Sequence, residues 1–576
     1  MIKKWVYREL PPADKVAALS TAINVNNFLS SILLQRGVNS FEEAKNFFRP
    51  AIEHLHDPFL MKDMNLAVDR IEKAIRQEEK ILIYGDYDVD GSTAVALVYG
   101  FLREIYPDVS YYIPDRYHEG YGISEKGIRE ADAKGIGLII SLDCGIKAIT
   151  QSELAESLGI DLIICDHHLP GSKLPAASAI LDPKQDGCAY PYKELTGCGV
   201  GFKLLQAYCQ QSNLDPKLLF KHLDLVVISI ASDIVPMTGE NRILAHFGLK
   251  VITAGPRPGI KALMKISGFS KVDISNIVFG LAPRINACGR MDHANGAVEL
   301  MLAKTDEEAT QMAELVDGHN SDRKKNDQQV TREALSMIDS DVLLADACST
   351  VLYKEGWHKG VIGIVASRCI EKYYRPTIIL TQIGTKLTGS ARSVAGFNVY
   401  KAIEKCRHLL DQFGGHKYAA GLTLDVNNFK EFQEMFELAV AESIKDEQLQ
   451  PELVIDLTLD LERLSEKFFN ILRQMEPFGP ENMTPVFSSK HLEVVGRPRV
   501  LKNEHLKFSV RSKKGGRIFD AIGFGLANFF EELAAGKQFE LAYCIEESEY
   551  KDKKSLQLRV KDIRFVAILK EHEVTR

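Results

Sequence analysis

What this sequence lacks narrows its class before any motif is read. No apolar run approaches the ~20 residues that a membrane-spanning helix needs, so no span is expected. The N-terminus, MIKKWVYRELPPADK, carries no apolar core of the kind a secretory signal uses. The ten cysteines include no Cys-x-x-Cys pair and follow no regular spacing. Without an export signal they read as reduced thiols of a cytoplasmic protein, and Cys144, Cys165 and Cys198 read as small packing residues. No repeat or low-complexity tract stands out. An excess of positive charge is missing too: the net charge is −7 and the pI about 6.2. Bulk charge therefore gives no sign of nucleic-acid binding, although an acidic metal centre can coexist with a basic groove.

What is present is a long globular chain. Its 576 residues exceed one hydrophobic core, so three or four domains are expected. Residues 1–75 are mostly helical in pattern, as in FEEAKNFF. From 76 to 295 apolar strands such as ILIY, VSYYI, LIISL and LIIC alternate with helices, which predicts a parallel, doubly wound sheet. Residues 296–340 read as solvated connecting helices with opposite charges at helical spacing. A second, smaller α/β block spans 341–447, with VLLAD, STVLY and PTIILTQ as strands. KDEQLQPE, 445–452, reads as a linker. Residues 448–576 hold five or six short strands and predict a small antiparallel barrel. The fold class is α/β with a C-terminal β-barrel.

The stretch ILIYGDYDVDGSTAVALV opens the chemistry. Asp86, Asp88 and Asp90 alternate and meet Gly91, as at the start of a calcium-binding EF-hand loop. That loop needs a Glu at its twelfth position, where this chain has Leu97, and a helix before it, where this chain has a strand. The carboxylates sit instead at the C-terminal end of a strand, the edge where open α/β sheets bind ligands. LIISL ends in Asp143, and LIIC ends in Asp166-His167-His168. The apolar run LVVISIAS, read as a further strand, ends in Asp233. Strands of one parallel sheet share an edge, so these groups should converge. Several carboxylates with one or two imidazoles suit Mn²⁺ or Mg²⁺. There are too many for one ion, and a bridging carboxylate holds two ions at roughly 3.5–4 Å. Such a pair binds phosphoryl oxygen, activates water and stabilises the leaving oxygen.

DYDVDG, SLDCG, CDHHLP and ASDIVP resemble the four motifs of the DHH phosphoesterase superfamily. GWHKGVIGIVASR (356–368), GSARSVAGFNV (389–399) and FGGHKYAAG (413–421) resemble its DHHA1 domain. With LAPRINACGRM (281–291), the turn PFGPENMTPVF (477–487) and the final β-rich domain, the arrangement resembles the RecJ family of exonucleases. The resemblance implies a DHH domain and a smaller DHHA1 domain joined by a long helix, followed by an OB-like barrel. It implies 5′-to-3′ hydrolysis of single-stranded DNA by two Mn²⁺ or Mg²⁺ ions, releasing 5′-mononucleotides, in recombination and repair. The rivals are a related phosphoesterase acting on oligoribonucleotides or cyclic dinucleotides, and a non-catalytic DNA-binding replication scaffold.

The resemblance assigns Asp88, Asp90, Asp143, His167 and Asp233 as metal ligands, with Asp143 bridging. Asp86 beside them is either a ligand or a partner of one. His168 is implied as an acid or a phosphate contact. Tyr84 stands where many shorter relatives have a His, which leaves the first ion's ligand set open. A nuclease must also neutralise phosphate, which Arg does bidentately. The candidates are Arg116, Arg284, Arg290 and Arg392 with Ser390, and His416 in FGGHK. Phe508, Phe519 and Phe524 are divided between base stacking and barrel core. The implied partners are single-stranded DNA with a 5′ end, single-strand-binding protein and a RecQ-type helicase, with no membrane.

Overall fold

A computed structural model of the chain describes residues 2–550 and 553–565. The end of the barrel domain, expected to run to 576, lies outside the described residues beyond 565. The chain forms two compact units, one of residues 50–449 with 479–482, the other of the remaining N- and C-terminal segments.

In the first unit, five parallel strands lie in the order Val109–Tyr112, Lys80–Gly85, Ile136–Leu142, Asp161–Cys165, Ala179–Leu181. Side chains alternate between two buried faces, as a sheet covered on both sides requires. Ile81, Ile83, Leu138 and Ile140 join one core with the helices Met64–Arg76, Val89–Ile105 and Gly197–Gln211. Leu82, Tyr84 and Ile139 face the other, with Ile128 and Ala155 of the helices Glu125–Ala133 and Ile149–Ser157.

The run before Asp233 is not a strand: Leu223–Ser232 is a helix, buried on nearly every side. An apolar run this short, broken only by Ser229 and Ser232, shows no clear period and fits a buried strand or a buried helix alike. Asp233 therefore reaches the sheet edge from a helix C-terminus.

The charged segment folds as one 35-residue helix, Asp306–Ser340. VLLAD, expected as a strand, contains a short 3₁₀ turn, Val342–Leu344, with only Leu344 buried. Beyond it, five strands lie in the order Leu410–Gly415, Ala419–Asp425, Lys386–Arg392, Thr377–Ile383, Thr350–Tyr353. Only the last two pair in parallel.

In the second unit a barrel closes through Phe487–Leu501, His505–Ser512, Gly515–Gly523, Lys553–Phe565 and Phe539–Tyr550, which pairs back with the first. Its strands are longer than expected. It is not wholly antiparallel, because Gly515–Gly523 pairs in parallel with Lys553–Phe565. This is the five-stranded, OB-like closure. Phe508 and Phe519 are core residues, whereas Phe524 is exposed beneath the Arg559 guanidinium. Leu19, Leu29, Ile32 and Leu33 of the helices Ala13–Ile23 and Asn27–Gln35 share the barrel core with Phe468 and Phe487. The N-terminus is not helical throughout: Lys4–Tyr7 is a strand paired in parallel with Glu452–Ile455, the latter beginning inside the expected linker. Trp5 Nε1 donates to Asp562 at 2.7 Å. Among the described residues no single helix is long and apolar enough to cross a membrane.

Candidate metal centre and phosphate pocket

The acidic cluster is built by strand ends and helix starts. Asp86 follows the strand Lys80–Gly85. Asp88 caps the next helix, its carboxylate accepting from the Gly91 N–H at 3.1 Å. Asp90, in that helix's first turn, accepts from the N–H groups of Gly197 (2.7 Å) and Cys198 (2.8 Å) and from the Ser229 hydroxyl (2.7 Å). A second helix N-terminus thus holds it. Asp143 follows the strand Ile136–Leu142 with φ 60°, a left-handed conformation that Asp tolerates. Gly197 allows the close approach, for a Cβ there would lie 2.5 Å from Asp143 Cβ.

His167 gathers these groups. Its Nε2 is 3.1 Å from Asp143 and 3.7 Å from both Asp90 and Asp233. Three sets of ligand atoms lie close enough for a metal: Asp86, Asp88 and Asp143; Asp90, His167 and Asp233; and Asp143, His167 and His168. Asp143 joins two of them. Tyr84, by contrast, is turned into the core, where its hydroxyl meets Ser124.

The donor set fits divalent cations on its own evidence of need. Among the described residues neither carboxylate oxygen of Asp86 has a hydrogen-bond partner, although both are buried. Burial, then the neighbouring carboxylates, raises the pKa of Asp86, Asp88, Asp143 and Asp233. Hard dications would satisfy these oxygens and relieve that repulsion.

His168 differs. Its Nδ1 lies 2.8 Å from Asp166, which also accepts from the backbone N–H of Ile146 and His167. Burial opposes charge on both partners, but the hydrogen bond and opposite charge outweigh it. They hold Asp166 at about 2 and lift His168 to about 8.

A pocket of about 430 Å³ lies between the two α/β sheets of the same unit. Arg116, Arg290, Arg392 and Ser390 line it, with Tyr87, Tyr121 and Lys359. None of these three arginines pairs with a carboxylate among the described residues. Arg290 donates to the Gly360 carbonyl at 3.0 Å, Arg392 to Ser390 Oγ at 3.0 Å, and Arg116 lies over the Tyr87 ring. Burial, then Arg116 and Arg392, lowers Arg290 to about 10, and burial with Arg116 lowers Arg392. Three guanidinium groups in mutual repulsion have the chemistry to take an anion such as a phosphate. Gly363 leaves the room: a Cβ there would meet Arg392 Nη2 at 2.8 Å.

Two expected residues stand elsewhere. Arg284 is committed to Asp317 (2.8 Å) and the Gly280 carbonyl and does not line the pocket. His416 is exposed and also outside the pocket. Its pKa is lowered by burial, then by Lys147 and His168. Trp357 is core, its Nε1 bonded to Glu333.

Sequence reasoning put Asp166 among the converging groups but gave it no role, and it missed Tyr121, Lys359 and Asp182. Asp166 is the first letter of the DHH motif itself. The Tyr121 hydroxyl lies 3.1 Å from the Asp143 carbonyl oxygen and 3.3 Å from His168 Nε2, joining the acidic centre to the pocket. Its signal was its place beside Arg116, and that of Lys359 its place in WHKG. Asp182 follows the strand Ala179–Leu181 as the other acids follow theirs, and burial lifts it to about 7.

Comparison with known proteins agrees along the chain. Residues 80–230 match the DHH family N-terminal domain, 346–442 the DHHA1 domain, and 455–562 the RecJ OB domain. The single-stranded-DNA-specific exonuclease RecJ of Bacillus subtilis (strain 168) is 36% identical over 96% of this chain and 70% of its own length. The protein of that name from Escherichia coli (strain K12) is 34% identical over 93% of this chain and 95% of its own. The crystal structure of RecJ in complex with Mn²⁺ from Thermus thermophilus superposes with a TM-score of 0.84. It is 26% identical and covers 98% of this chain and 80% of that one.

Proposed function

The chain belongs to the RecJ family, and from that premise we propose that it is a metal-dependent, single-strand-specific DNA exonuclease that removes 5′-mononucleotides from the 5′ end. One observation carries the reading: the unpaired arginine pocket adjoins the acidic centre through Tyr121. A terminal phosphate in the pocket and the next phosphate at the carboxylates place one nucleotide between them.

Asp88, Asp90, Asp143, His167 and Asp233, with Asp86, would hold two Mn²⁺ or Mg²⁺ ions, the metals complexed in two Thermus thermophilus RecJ structures. Such ions, when bound, supply Lewis-acid activation of the phosphodiester and of the attacking water. The chain's own groups do the rest. Arg116, Arg290 and Arg392 fix the 5′-phosphate and so the register of cleavage. His168, kept protonated by Asp166, donates to the 3′-oxygen that leaves as the phosphorus–oxygen bond breaks. The remaining strand then carries a new 5′-phosphate, the group the pocket takes.

The test is digestion of 5′-phosphorylated single strands, duplexes, oligoribonucleotides and cyclic dinucleotides side by side with Mn²⁺. Single-stranded DNA should be degraded fastest, with mononucleotides as the first product. Asp143→Ala should lower the rate at least ~1,000-fold, the worth of several kcal/mol of charge stabilisation, while most DNA binding persists. Wild-type rates in that variant, or preference for a cyclic dinucleotide, would overturn the reading.

A further inference from the structure

Asp233 ends the helix Leu223–Ser232, and the residue after it, Ile234, has φ 59°. This is the position past a helix end where chains place glycine, because a Cβ crowds the left-handed conformation. A β-branched side chain is the least suited to it. Such strain persists only where the surroundings impose it, and here they do. Val235 and Met237 are buried in the main core. The Pro236 carbonyl accepts from the Tyr192 hydroxyl at 3.2 Å and from Asn241 Nδ2 at 3.0 Å. The turn is therefore fixed by its neighbours, but the isoleucine is not. The residue is 69% exposed and packs into no hydrophobic cluster among the described residues. Glycine would relieve the strain at the loss of the minor part of the residue that is buried. Single exposed apolar residues are ordinary; one held out on a strained backbone calls for a ligand.

The place of Ile234 says which ligand. Asp233 belongs to the acidic centre, and Ile234, exposed, is the next residue in the chain. The arginine pocket takes no lining residue from 233–238. Ile234 thus follows a candidate ligand in the chain and lies outside the pocket assigned to the terminal phosphate. We propose that Ile234 is the apolar contact for the base of the second nucleotide, the one beyond the scissile phosphate. By pressing on that base it breaks the stacking between first and second nucleotides. Aliphatic side chains act as such wedges at base steps. The inference rests on the exonuclease reading above and extends it to a specificity-determining residue.

The experiment compares wild type, Ile234→Gly and Ile234→Val on a 5′-phosphorylated single strand and on the same strand with an abasic second nucleotide, scoring first-nucleotide release. Ile234→Gly should raise KM roughly tenfold on the intact strand, with an unchanged Mn²⁺ activation midpoint and a melting temperature no lower than wild type. Ile234→Val, which keeps the branched face, should stay within about fourfold, the worth of one methylene. On the abasic strand the wild type should lose the same factor, and Ile234→Gly should lose nothing further. Equal KM for wild type and Ile234→Gly on the intact strand, or an equal defect on both strands, overturns the contact alone. A wild-type protein that degrades no single strand overturns the exonuclease reading and the contact with it.

Discussion

At Asp166 one carboxylate collects the backbone N–H groups of Ile146 and His167 and the imidazole of His168. The His168 pKa lies above its ordinary value, so the bonus this pairing gives folding is complete below about 6.5. It is lost as pH rises through about 8. A step that needs the imidazolium declines over the same upper range. Asp166→Asn should lower kcat about 10- to 100-fold, as loss of an orienting partner does, and move the alkaline limb of a kcat–pH profile downward. A limb that stays in place would remove His168 from the proton transfer. Arg392→Ala should raise KM for 5′-phosphorylated strands about 10- to 100-fold, the worth of a charged hydrogen bond. It should have little effect on strands ending in a 5′-hydroxyl, which a comparison of the two substrates checks. At this scale the convergence of Asp88, Asp143 and His167 was legible, because residue type and motif coincide there. Arg284 was not. It sits in the same motif as Arg290, and only the path of the helix Ala282–Met291 decides that one meets Asp317 and the other the pocket.

Elements place the acids, and helix starts matter as much as strand ends. The N-terminus of Gly197–Gln211 holds Asp90 through two backbone N–H groups, while its first residue lies against Asp143. Gly197→Ala should therefore disturb two ligands at once. Overpacking of this kind costs about 1–3 kcal/mol, so the melting temperature should fall by a few degrees and Mn²⁺ affinity more steeply, read by calorimetry and titration. Unchanged affinity would mean that the helix start yields without moving Asp143. The parallel strands could be read from apolar runs bounded by turns. The helix before Asp233 could not, because in LVVISIAS only Ser229 and Ser232 interrupt the apolar residues, too few to mark a polar face. The strands Lys386–Arg392 and Ala419–Asp425 were hidden differently. Their glycine-rich motifs were read for phosphate contacts and given no secondary structure, yet Ser390 and Arg392 alternate with buried Gly389 and Ala391 along an ordinary strand.

The whole molecule divides its labour between two units, and every candidate ligand and pocket residue belongs to residues 50–449. Divalent cations should accordingly raise the melting of that unit alone, by about 2.7 kcal/mol at a concentration 100-fold above the dissociation constant. Asp143→Ala should abolish the shift, and a shift in the barrel transition would show a site outside the acidic centre. The order of the domains was legible because each carries its own pattern. The partnership of the first residues with the last was not, since no local signal links Trp5 to Asp562 or Leu33 to Phe487. That partnership bears on synthesis. The first fifty residues emerge without the surface that covers them, and the roughly 400 residues of the other unit intervene. At ~5–20 residues per second that is a wait of about 20–80 s at the ribosome. During it Leu29, Ile32 and Leu33 stand bare to solvent or to a chaperone, and a transcript cut short before the barrel never covers them.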